Sequence, residues 1–93
     1  MQSYKKLNNP NAATIEAVQL TKENVHEVAA WCTGKEVTEI DALDPTKTYV
    51  GINVILWDGL GRVSEGDYLI KDALDEFHVR WADNFERDFG KVE

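Results

Sequence analysis

EGDYLIKDALDEFHVRW, residues 65–81, decides the predicted fold, because charged and apolar side chains alternate in it on both sides of DALD. Alternation with a period of two is typical of a β-strand with one buried and one exposed face. DALD, residues 72–75, is rich in the acidic residues that favour turns. We therefore predict a β-hairpin whose four-residue loop is 72–75.

The position of this loop fixes the predicted register. It places Lys71 opposite Glu76 and Asp67 opposite Arg80, so that two ion pairs stabilise the charged face. The other face gathers the apolar side chains of both strands, which are Tyr68, Ile70, Phe77 and Val79. The alternation is thus explained by structure alone and does not indicate an active site.

An amphipathic helix is predicted over residues 22–33, after Thr21 as its cap and before Gly34 as its left-handed terminator. Its apolar residues recur at helical spacing, at Val25, Val28, Ala29 and Cys32. Strands are predicted over 15–20, 35–40 and 49–57, the last with Gly51 at a bulge or a close backbone approach. The segment after Trp81 fits either a short helix capped by Asp83 or an extended strand.

These elements predict a single α+β domain over residues 14–93, preceded by a flexible N-terminal arm over residues 1–13. In it, one amphipathic helix packs on a small, mostly antiparallel sheet of four or five strands, or on a partly open barrel.

Charge and composition limit the function classes. The chain has 93 residues, 43% of them hydrophobic, and a net charge of −7. Because nucleic-acid binding depends on neutralising phosphates, direct binding is not expected, although Lys5 and Lys6 leave it as a hypothesis. The single cysteine fits a reducing compartment, and no apolar run is long enough to cross a membrane, so we expect a cytoplasmic protein.

No catalytic constellation is recognisable in the sequence, so we expect a protein that is not an enzyme and has no metal or cofactor. Cys32 lies on the apolar stripe of the helix, where a buried role is expected. WDGLGR, residues 57–62, has too few glycines for a phosphate loop. The remaining candidates are partner-binding residues at strand ends, because interfaces favour Trp and Arg. They are Trp57, Asp58, Arg62, Arg80 and Trp81.

Residues 15–89 resemble a family of small bacteriophage proteins of unknown function whose C-terminal half carries a GDW/Y-x-I, EF and D-x-F-E pattern. The matching positions are Gly66, Asp67, Tyr68, Ile70, Glu76, Phe77, Asp83, Phe85 and Glu86. The chain departs from that pattern at Asp72 and Asp75, where loop glycines are usual. The resemblance implies a phage origin and a small α+β accessory protein, and it transfers no catalytic residue.

The main functional hypothesis is a non-enzymatic phage accessory protein that binds and modulates a host or phage protein, in host takeover or anti-defence, within the host cytoplasm. One alternative is a small-ligand or nucleotide binder with a pocket near Trp57, Gly59, Gly61 and Arg62. Another is an acidic mimic of nucleic acid that occupies a host enzyme. The sequence is also compatible with a homodimer.

Overall fold

The computed structural model describes residues 1–9 and 11–92 and confirms the α+β class. Within these residues it contains the predicted amphipathic helix and a second, short helix, which was one of the two alternatives for the segment after Trp81. The elements in chain order are β1 (Gln2–Lys6), β2 (Ile15–Gln19), α1 (Val25–Cys32), β3 (Lys35–Ile40), β4 (Thr48–Leu56), β5 (Gly59–Ser64), β6 (Tyr68–Lys71), β7 (Phe77–Arg80), α2 (Ala82–Asp88) and β8 (Phe89–Lys91).

The strands form two open antiparallel sheets. The large sheet has five strands in the order β7-β6-β2-β1-β8. The small sheet has three strands in the order β3-β4-β5. The two sheets meet where the backbone N–H of Trp57, just after β4, donates to the carbonyl of Phe77 in β7 at 2.9 Å.

The predicted flexible arm is wrong for Gln2–Lys6, which forms strand β1 inside the large sheet. Ser3 lies opposite Glu16 of β2, and Lys5 lies opposite Gly90 of β8. The prediction failed because SYKK is polar and too short to show a clear period. A strand flanked on both sides still satisfies all its backbone groups whatever side chains it carries.

Helix α1 is three residues shorter at its start than predicted, because Thr21 and Asn24 close a local turn before it. The predicted bond from the N–H of Asn24 to the Thr21 hydroxyl is present at 3.2 Å, and the Asn24 side chain accepts the N–H of Thr21 at 2.8 Å. The left-handed residue at the helix end is Thr33, with φ of 53°, and not Gly34. Glycine is required at position 34 for a different reason, because a Cβ atom there would overlap the Ile52 side chain.

Two hydrophobic cores lie on opposite faces of the large sheet. The first core packs α1 and the small sheet against one face, through Leu20, Val25, Val28, Ala29, Cys32, Ile52, Val54, Val63 and Leu69. The second core packs α2 against the other face, through Ala17, Tyr68, Ile70 and Phe85. The large sheet is therefore covered on both faces in its middle.

The predicted β6–β7 hairpin is present, but its register differs by one residue. The loop has five residues, 72–76, and Lys71 lies opposite Phe77. The cause is Asp72, whose Oδ1 accepts the N–H groups of Leu74 at 2.9 Å and Glu76 at 3.0 Å. This side chain stabilises a wider loop, in which Asp75 adopts a left-handed conformation with φ of 61°.

The register change overturns the predicted division into one apolar and one charged face. Leu69 and Val79 are paired and belong to the first core, whereas Ile70 faces the second core beside His78. Neither predicted cross-strand ion pair forms. Lys71 instead contacts Asp75 in the loop, at 3.5 Å.

The segment after Trp81 contains both of the predicted alternatives, a short helix followed by a short strand. Trp81, and not Asp83, occupies the position before the helix, and its carbonyl accepts the N–H of Phe85 at 2.9 Å. Phe85 is buried in the second core, and Phe89 packs against it.

Candidate protein-binding surface

The small sheet has one buried and one exposed face. Ile52, Val54 and Val63 point inward and pack with α1 in the first core. The alternate residues of β4 and β5 point outward, among them the directly paired Ile55 and Leu60. These two apolar side chains are 75% and 81% exposed, which is unusual for a paired position in a sheet.

The β4–β5 turn holds this outer face in a defined position. Leu56 pairs with Gly59, so the loop consists of Trp57 and Asp58 alone. Gly59 has φ of 127°, a conformation that side chains other than glycine rarely adopt. Trp57 is anchored by its backbone bond to Phe77, and its ring stacks on His78 with the centroids 5.8 Å apart.

We define the hairpin-tip patch as the exposed apolar side chains Ile55, Trp57 and Leu60. Trp57 is 61% exposed although its ring stacks on His78. Ile55 and Trp57 also line an open cavity of about 240 Å³ together with Asp75 and Glu76 of the neighbouring hairpin loop. With Asp58 in the turn, three carboxylates border the patch. An apolar centre with a charged border is the usual arrangement of a protein-binding surface.

His78 beneath Trp57 is held by a carboxylate. Its Nε2 lies 2.7 Å from Oδ2 of Asp72. The hydrogen bond with His78, followed by the backbone N–H groups of Glu76 and Leu74, holds the pKa of Asp72 below its usual value. Asp72 therefore fixes both the β6–β7 loop and the ring on which Trp57 stacks.

The structure brings together only part of the predicted partner-binding set. Trp57 and Asp58 form the β4–β5 turn, and Arg62 lies on the same outer face, where its Nε donates to Asn53 at 2.9 Å. Arg80 is the last residue of β7 and Trp81 follows it, whereas Trp57 is bonded to Phe77 at the other end of this strand.

Arg80 and Trp81 have separate surroundings. Arg80 contacts Asp88 at 3.4 Å and lies over the ring of Phe89. Trp81 is 72% exposed and lines a shallow cavity with Val79, Arg80 and Asn84. We therefore treat Arg80 and Trp81 as a second exposed site and not as part of the hairpin-tip patch.

Ile55 and Leu60 were not predicted as binding residues. A strand was predicted over 49–57, but none was predicted over Gly59–Ser64, where Leu60 lies. The alternation of residues along a strand indicates which side chains share a face. It does not show whether another element packs over that face. The one available signal was WDG at 57–59, a turn sequence that allows β5 to begin at Gly59.

The cavities do not gather the residues of the small-ligand hypothesis. Of Trp57, Gly59, Gly61 and Arg62, only Trp57 lines one of the four described cavities. Gly59 and Gly61 belong to strand β5. A cavity of about 310 Å³ lies elsewhere, between the residues before α1 and the β5–β6 turn.

A cavity of about 180 Å³ beside Ile70 is lined by His78, which is hydrogen-bonded to Asp72, and by Arg80, which forms an ion pair with Asp88. Within residues 1–9 and 11–92, no group of three or more His, Cys, Asp or Glu side chains is placed to hold a metal ion.

Comparisons of the chain with protein-family models, curated proteins and solved structures find no match. Neither helix in the described part of the chain is long and apolar enough to span a membrane.

Proposed function

We propose that this protein is a non-enzymatic phage accessory protein that binds and modulates a host or phage protein, and that it contacts this partner through the hairpin-tip patch. The observation that carries the proposal is the paired, outward exposure of Ile55 and Leu60 at 75% and 81%. Burying such a side chain fully contributes about 1.5–3 kcal/mol, so a few of them account for much of a typical interface.

The border of the patch indicates the chemistry of the partner. Asp75, which contacts Lys71, and Glu76 line the cavity beside the apolar centre, and Asp58 follows Trp57 in the turn, on a chain whose net charge is −7. A partner with an apolar centre and lysine or arginine around it would be attracted over long range and matched on contact. We therefore expect association to slow as the salt concentration rises, while the apolar contacts persist.

The phage context of the proposal rests on the resemblance of residues 15–89 to the small phage proteins. This resemblance implies a partner in the cytoplasm of the bacterial host during infection. In this proposal, modulation means that the bound partner loses or changes an interaction of its own.

The test is capture of partners from a bacterial lysate with three forms of the protein as bait. The forms are the wild type, Ile55→Glu and the matched control Leu43→Glu, which also changes an exposed leucine, 97% exposed, in a distant loop. We expect at least one protein that binds the wild type and Leu43→Glu saturably and is lost with Ile55→Glu. The proposal is wrong if no protein shows this pattern.

A further inference from the structure

We infer that the partner is bound as an added β-strand along the outer edge of β5, an inference that rests on the proposed function and specifies its binding mode. β5 is an edge of the small sheet, in the order β3-β4-β5. Edge strands present backbone groups that readily pair with another extended chain, so proteins usually protect them.

The hairpin geometry shows which backbone groups point outward from β5. The two-residue turn makes Leu56 and Gly59 a hydrogen-bonded pair, and bonded pairs alternate along an antiparallel ladder. Gly61 and Val63 therefore also bond to β4, whereas Leu60 and Arg62 direct their N–H and C=O groups away from it. Among the described residues, no backbone hydrogen bond beyond the strand ladders involves Leu60 or Arg62.

The other edge strands carry protection that β5 lacks. β3 has three charged side chains among its six residues, Lys35, Glu36 and Glu39. β8 has only three residues, and β7 has four, of which Phe77 already accepts the Trp57 N–H. β5 has six residues, GLGRVS, with one charge and no proline, and Asp67 covers only its last residue by bonding to the N–H and C=O of Ser64. Its two glycines also allow another backbone to approach closely.

Charge indicates that the added strand comes from a basic partner and not from a second copy of this chain. The single charge on β5, Arg62, is opposed by Glu39 at 3.8 Å. Asp58 lies before the strand, and Asp67, whose Oδ2 accepts the N–H of Ser64 at 3.4 Å, lies at its other end. A segment along β5 therefore meets carboxylates near both ends, which favours Lys or Arg in the segment, whereas two copies would join chains of −7 each.

The side chains of β5 define the rest of the segment. Leu60 and Arg62 lie on the outer face with Ile55 and Asn53. Alternate residues of an added strand share this face, so an apolar residue beside Leu60 extends the hairpin-tip patch. The predicted segment alternates apolar and basic residues over about four to six positions.

The variant Arg62→Pro distinguishes the contribution of the Arg62 backbone N–H to binding from that of the Arg62 side chain. The N–H of Arg62 points to the open edge, where proline is tolerated, so Arg62→Pro keeps the β4–β5 ladder but removes one donor to an added strand. Arg62→Ala is the matched control, because it removes the same side chain and keeps the N–H. Circular dichroism and the melting temperature of both variants confirm that each is folded before binding is measured.

The probe is a library of displayed random ten-residue peptides selected on the full-length wild-type protein, followed by NMR of the best synthetic peptide. We expect enrichment of alternating apolar and basic residues, slower amide exchange at Leu60 and Arg62 on binding, and affinity lowered about tenfold by Arg62→Pro but less than about threefold by Arg62→Ala.

Three results would overturn strand addition: no enriched peptide, equal affinities of Arg62→Pro and wild type, or a wild-type dimer in sedimentation that Arg62→Pro converts to a monomer. The last result identifies a second copy as the occupant. If Ile55→Glu loses the captured partner while Arg62→Pro retains it, the hairpin-tip patch binds by side chains alone. In that case the proposed function stands and this inference fails.

Discussion

Replacing Phe85 by alanine tests whether the N-terminal strand, β6 and α2 share one core, as the structure requires. Phe85 is 1% exposed. Its ring stacks on Tyr68 at 4.0 Å and on Phe89 at 4.8 Å, and it meets the edge of Tyr4 at 4.9 Å. One side chain therefore contacts aromatic residues from three strands.

The expected loss follows from this burial. A buried phenylalanine removes roughly 150–250 Å² from water, which corresponds to about 4–6 kcal/mol at 25 cal/mol per Å² before the area that alanine retains is subtracted. Measured Phe→Ala changes in cores cost about 3–5 kcal/mol. We expect Phe85→Ala to lower the free energy of unfolding by about 4 kcal/mol, against a total of about 5–14 kcal/mol for a chain of this length.

The assay is urea unfolding followed by far-ultraviolet circular dichroism. Phe85→Leu is the first control, because it keeps most of the apolar volume and is expected to cost about 1–2 kcal/mol. Leu43→Ala is the second control, on a fully exposed side chain, with an expected change within about 0.5 kcal/mol. If Phe85→Ala costs no more than Leu43→Ala, the second core is not formed as described.

Three further changes test other parts of the structure. Lys5→Pro should cost more than about 1 kcal/mol relative to Lys5→Ala, because the backbone of Lys5 in the interior strand β1 pairs with Gly90 of β8; equal stabilities of the two variants in urea would support the predicted flexible arm. Burial, and then the hydrogen bond to Glu86 at 2.8 Å, raises the pKa of Tyr68 to about 12, above the unfolded value of about 10. The contribution of protonated Tyr68 to the free energy of unfolding is therefore present below pH 10 and is lost as the pH rises from about 10 to 12. Urea titrations across this range should show a smaller loss of stability for Tyr68→Phe than for the wild type. Equal losses in the two proteins would contradict the raised pKa of Tyr68. Burial also raises the pKa of the Cys32 thiol, so iodoacetamide should label the native protein at least about tenfold more slowly than the protein in urea, as read by mass spectrometry; equal rates would show that Cys32 is accessible.

The sequence was sufficient to predict the α+β class and the helices and strands that have a clear hydrophobic period. Helix α1 was predicted from the spacing of Val25, Val28, Ala29 and Cys32, which are all buried. Strands β3 and β4 were predicted within one residue of their observed ends, because Pro45 and the WDG turn separate them from their neighbours. Periodic burial is the strongest local signal that a chain carries.

Features that depend on hydrogen bonds between side chains and the backbone were not predictable from the hydrophobic period of the sequence. The β6–β7 register shifted because Asp72 bonds to two backbone N–H groups and widens the loop by one residue. β1 was missed because its place between β2 and β8 depends on backbone pairing, to which its polar side chains contribute little. Long-range pairing of this kind leaves no pattern in a short polar segment.

The candidate site was predicted only in part for a related reason. Composition favoured Trp57 and Trp81 as interface residues, but it could not show that they lie at opposite ends of β7. Ile55 and Leu60 follow the same period as core residues, and only the absence of a covering element distinguishes them. Whether a face is covered is a property of the tertiary structure and not of the strand.

The most direct test of the central claim is the affinity of the captured partner for Ile55→Glu and for Leu43→Glu, measured side by side with the wild type at physiological salt. A glutamate within the apolar centre of an interface leaves a charge buried without a counterion, so Ile55→Glu should weaken binding by more than about tenfold. Leu43→Glu should stay within about twofold of the wild type. Equal affinities of the two variants would contradict binding through the hairpin-tip patch.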